Sequence, residues 1–65
     1  MVTSYLLAKG MYEVHIHLVD VNSETGALVV HINKHVKGRK YEQMSPQAAM
    51  CYLRTLKFMD YKEVE

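Results

Sequence analysis

From Met11 to Val21 apolar and polar residues alternate. Tyr12, Val14, Ile16 and Leu18 fall on one parity, and Glu13, His15 and His17 on the other. Period two over this length predicts a half-buried strand. Ala27 to Lys37 repeats the pattern, with Leu28, Val30, Ile32 and Val36 set against His31, Asn33, His35 and Lys37. Both runs are rich in β-branched residues, which suit a pleated surface. Between them, Asn22-Ser23-Glu24-Thr25-Gly26 reads as a type I turn closed by a left-handed glycine, so the two strands form a hairpin.

Lys37-Gly38-Arg39 predicts a second tight turn, from which Lys40 to Met44 returns as a third strand with Tyr41 toward the core. Ser45-Pro46 then opens a helix: serine supplies the N-cap, and proline fits the first helical position. The helix is expected to run to about Lys62. Ala49, Tyr52, Leu53, Leu56 and Met59 fall at helical spacing and form its apolar stripe. Met50, Phe58 and Tyr61 lie off that stripe and are surplus to a small core, which makes them candidate protein-interface residues. Residues 1–10 read either as a further strand, paired through a Lys9-Gly10 turn, or as a helical turn capped by Gly10; the strand is the favoured reading. The expected class is α+β: a small antiparallel sheet of three strands, four with the N-terminal one. A C-terminal helix packs on one face, in the order (β)βββα, as a single domain over 1–65.

The hairpin register decides what the histidines share. Pairing Ser23 with Ala27 sets His15 opposite His35, and pairing Val21 with Ala27 sets His17 opposite His31. Only even shifts keep both apolar sets toward the core, since a one-residue slip turns every side chain over. His15, His17, His31 and His35 are therefore expected on one face, with Glu13, Asn33 and Lys37. Directly opposed residues sit about 5 Å apart at Cβ. Three imidazoles so placed can ligate zinc and leave a position for water. The plainer reading is a solvated or partner-contacting face whose polar residues happen to be histidine. No cofactor is expected on that reading; zinc is the alternative. Four clustered imidazoles would also repel one another when protonated in mild acid.

At 65 residues the chain buries only about 60% of its unfolded surface. Domains this small usually gain support from a disulfide, a metal or a partner chain. Cys51 is the only cysteine, so no internal disulfide forms. A lone thiol suits a reducing compartment. Cys51 itself reads as a small core or near-core residue, since the sequence places no histidine near it to form a nucleophile pair. The 49% apolar content is that of a folding chain. Eight basic against seven acidic residues leave a net charge of +1, which gives no global pull toward nucleic acid. The longest apolar run near the start, Tyr5-Leu6-Leu7-Ala8, is far too short for a signal core or a membrane span. The chain opens on Met1 with no tag-like leader. The expectation is a complete small cytoplasmic frame.

A local basic cluster remains. Lys34, Lys37, Arg39 and Lys40 surround the second turn, with His35 and Tyr41 interleaved. They are the candidate phosphate contacts of a nucleic-acid-binding sheet; the alternative is a soluble hairpin tip with edge-protecting charge. The acidic tail Asp60, Glu63 and Glu65, and the lack of an aromatic on the polar parity, count against nucleic acid. The sheet, the basic turn and Met44-Ser45-Pro46-Gln47-Ala48-Ala49 at the helix start resemble the small arm-binding domains of phage integrases. Met44 stands where that family has an aromatic, and Ala48 where it has an acid. The resemblance implies a sheet face with His15, His17, His31 and Asn33 in a DNA major groove. No phosphate loop, nucleophile elbow or paired-carboxylate spacing is present, and the chain is not expected to be an enzyme. The first expectation is a protein-binding module, homo-oligomeric, of the phage or mobile-element regulator or inhibitor type. Nucleic-acid binding and metal binding follow as alternatives.

Overall fold

In the computed structural model, which describes residues 3–64, five strands and one helix follow one another along the chain. They are β1 (Thr3–Lys9), β2 (Tyr12–Leu18), β3 (Ala27–Asn33), β4 (Arg39–Met44), α1 (Pro46–Phe58) and β5 (Lys62–Glu63). The sheet is antiparallel throughout, in the order β4-β3-β2-β1-β5. The α+β class and the single helix on one face are as the sequence predicts. The N-terminal strand is present, and β5 adds a short strand that the pattern does not show.

The two sides of the sheet follow from strand parity. Leu7 pairs with Val14, Tyr5 with Ile16, Ile16 with Val29 and Leu18 with Ala27. These side chains meet Ala49, Leu53 and Leu56 of α1 to form the core. Leu7, Ile16 and Val29 are completely shielded. Alanine at positions 27 and 49, both buried, lets the helix sit close to the sheet. Met50, Tyr52 and Tyr61 pack around this core, so Met50 and Tyr61 are not the surplus surface expected of them. Phe58, by contrast, is 91% exposed.

The β2–β3 register corrects the sequence expectation. Leu18 pairs with Ala27, His17 with Leu28 and His15 with Val30. This is an odd shift relative to the predicted even ones. The connection is wider than a type I turn: the amides of Val19 and Asp20 both donate to the Gly26 carbonyl, which builds a bulge. Gly26 does not adopt the expected left-handed conformation; Gly10 and Gly38 do. Glycine is needed at 26 for a different reason, because a Cβ there would overlap the Asp20 carbonyl oxygen.

The helix is shorter than expected. The Ser45 side chain accepts from the Ala48 amide at 3.1 Å, as its N-cap role requires. At the other end the Tyr61 amide donates to the Leu56 carbonyl and the Asp60 amide to that of Lys57. That is a Schellman motif, with Asp60 at positive φ in the place glycine usually takes. The chain is thereby turned back toward β1. Lys9 Nζ donates to the Met59 carbonyl at 2.9 Å, and Lys57 meets Glu63 at 3.3 Å across the short β5. None of the helices in the described residues is long and apolar enough to cross a membrane.

Candidate functional site

The helix covers one face of the sheet. Among the described residues no helix or second sheet covers the other. Pairing across the five strands arranges that open face in rows. The central row runs Tyr41, Val30, His15, Leu6, Val64 from β4 to the segment after β5, where the Val64 amide donates to the Leu6 carbonyl at 2.7 Å. On one side lies the row Arg39, Ile32, Glu13, Ala8, Lys62, and on the other Gln43, Leu28, His17, Ser4. The central row is apolar apart from its middle member. Val30 is only 6% exposed although nothing is layered above it, while Tyr41 and Val64, at the two ends, are 60% and 46% exposed.

His15 occupies the middle of this face. Its Nε2 is shielded by neighbouring side chains and has no hydrogen-bond partner. An unpaired buried polar atom costs about 1–3 kcal/mol, so the centre of the face is unsatisfied. His17 lies beside it, the two rings 6.2 Å apart. The Nδ1 of His17 shares a hydrogen bond of 2.9 Å with Ser4 Oγ, its partner across the ladder.

The odd register divides the histidines. His31 pairs with Val14 and Lys40 on the helix side, and its ring meets that of Tyr52 edge-on at 5.8 Å. His35 is outside any strand: β3 ends at Asn33, whose side chain accepts from the His35 amide. Only His15 and His17 share a face, which corrects the expected four. Among the described residues no three or more His, Cys, Asp or Glu side chains are grouped to hold a metal ion. Tyr41 pairs with Val30 and points to the open face, not to the core as expected. Leu28, Val30 and Ile32, expected in the core, lie on the open face with it.

The basic residues are likewise dispersed. Arg39 and Lys40 are successive residues of β4 and point to opposite faces; Lys34 and Lys37 stand in the β3–β4 turn, all exposed. Lys37, Arg39 and Lys40 line an open concavity of about 450 Å³ at that end of the sheet, together with Glu13, His31 and Tyr61; Lys34 does not line it. A second shallow groove, of about 470 Å³, lies between Leu18, Val21, Pro46 and Met50. Cys51 borders it, exposed and not in the core. On the helix side, burial holds the Tyr52 phenol above its ordinary value, with Glu42 and then Tyr61 adding to the effect.

The sequence places His15 and His17 on a face away from the core, as found; the apolar character of that face was hidden because β3 is apolar on both parities, and the stronger set, Leu28, Val30 and Ile32, suggests the core. His31 and Asn33 stand on the face opposite to His15 and His17, so the groove-reading face implied by the integrase resemblance is not assembled. Compared with known proteins, the chain matches no family model, no curated protein and no solved structure.

Proposed function

We propose that this protein is a small, non-enzymatic protein-binding module that docks its partner on the open face of the sheet. The observation that carries the reading is the apolar row Tyr41, Val30, His15, Leu6, Val64, with an unsatisfied imidazole nitrogen at its centre. A contiguous apolar surface rimmed by charge is characteristic of protein contacts. The accessible surface supports it. The chain exposes 4879 Å², about 600 Å² above what its mass predicts for a compact monomer. Nucleic acid is the weaker reading, because Arg39 and Lys40 point to opposite sides and the net charge is +1. Within the protein-binding class, a regulator or inhibitor of the mobile-element type suits a module that presents one open face.

The test places a photo-crosslinking residue at Tyr41, on the open face, or at Arg54, on the exposed side of α1, in cells expressing the chain. Protein adducts are expected from position 41 and not from 54. Adducts equally frequent from both positions, or none from 41, would overturn the assignment of the face.

A further inference from the structure

We infer that the occupant of the open face is a second copy of this chain, related by a two-fold axis that runs across the strands along the central row. This rests on the reading of the open face as a protein-docking surface. The argument comes from charge and area. A two-fold interface must be self-complementary, and of the axes in the plane of the face two keep the strands of the two copies aligned, as stacked sheets do to within about 30°. An axis along β2 would stack Glu13 on Glu13 of the second copy and Arg39 on its Lys62, so like charges would meet. An axis along the central row places Glu13 over His17 of the second copy and Arg39 over its Gln43. It also places Ile32 over Leu28 and Ala8 over Ser4. No like charges then meet, and the acidic–imidazole pair occurs twice.

The same axis passes through His15. Each imidazole faces its own counterpart, and a rotation of the ring lets one Nε2–H donate to the other Nε2, which satisfies the atom the free chain leaves unpaired. Tyr41 faces Tyr41 at one end of the axis and Val64 faces Val64 at the other. The titratable or charged groups around His15 on the open face are Glu13 and His17 on β2, Arg39 and Tyr41 on β4, and Lys62 on β5; β1 and β3 contribute none there. Five strands about 4.8 Å apart and three rows deep give roughly 500 Å² per copy. About 1,000 Å² in total is near the lower limit of a specific interface, so the dimer is a weak, exchanging one.

Sedimentation equilibrium on the purified chain, from about 1 µM to about 1 mM, reads the result. Wild type is expected to shift from monomer to dimer across the series. Tyr41→Glu should be monomeric throughout with an unchanged thermal melt. His17→Glu alone should weaken the dimer at least about tenfold, since it sets two carboxylates together, and Glu13→Lys alone should weaken it by removing the carboxylate that accepts from the imidazole. The double variant Glu13→Lys, His17→Glu should recover it, because positions 13 and 17 meet only across this two-fold axis. Failure of the double variant to recover overturns the axis. A wild type that stays monomeric, while position 41 still crosslinks to other proteins in cells, overturns the second copy and leaves the docking face standing. A monomer with no crosslinks overturns both.

Discussion

At the scale of single residues, two side chains sit where the backbone or the solvent opposes them. Asp60 holds a positive φ at the helix C-terminus. The left-handed conformation costs a residue with a Cβ roughly 1 kcal/mol that glycine does not bear. Asp60→Gly is therefore expected to raise stability by about 0.5–1 kcal/mol, read as a higher urea midpoint with an unchanged slope. A fall in the midpoint would mean the Asp60 side chain contributes something beyond the turn. Tyr52 makes a pH prediction. Its phenol, held above the ordinary value of 10.0 mainly by burial, keeps its proton longer in the folded chain than in the unfolded one. Below the unfolded value both states are protonated and the group is neutral to stability. As pH rises past about 10 the unfolded state ionises first, and folding weakens. Urea midpoints at pH 9 and pH 11 should thus fall less in Tyr52→Phe than in wild type, and parallel losses would contradict the assignment.

At the scale of elements, the boundaries depend on local bonds. The Ser45 side chain satisfies one of the free amides at the start of α1. Ser45→Ala should cost about 1 kcal/mol, seen as a loss of thermal midpoint without change in the folded circular dichroism spectrum. What the sequence made legible follows the same division. The two central strands, each shorter than read, the Ser45-Pro46 helix start and the Ala49, Leu53, Leu56 part of the stripe are local patterns and are found, while Met59, read into the stripe, lies past the helix and is half exposed. The register of β3 is not local. Apolar residues on both parities of Ala27–Asn33 make either face a plausible core, and the choice is made by the bulge at Gly26 and by where α1 can pack. Once that parity reversed, Leu28, Val30 and Ile32 passed from expected core to open face, and His31 passed the other way. The pair Lys62–Glu63 could not be foreseen as strand, because its pairing partner is β1, far away along the chain.

At the scale of the whole molecule, one thin core is all that separates the folded state from collapse. Leu7, Ile16 and Val29 are its fully shielded members. A domain this size has only about 3–5 kcal/mol to lose, and removing the Ile16 side chain beyond Cβ costs about 2–5 kcal/mol. Ile16→Ala is expected to leave a substantial unfolded fraction at 25 °C, measured by loss of dispersed amide resonances. Tyr41→Glu, at the opposite face, should leave those resonances dispersed. If both variants behaved alike, the distinction between a helix-covered and a docking side of the sheet would fail.

The strand order carries a consequence for synthesis. β1 to β4 are joined as neighbours in sequence, so a nascent chain can lay down the four-stranded meander before α1 emerges. At that moment both broad surfaces are greasy, and nothing yet says which is to be inside. The arriving helix makes the choice, and β5 then pairs with β1. Until then the newborn polypeptide has two apolar sides, either of which a neighbouring chain could cover.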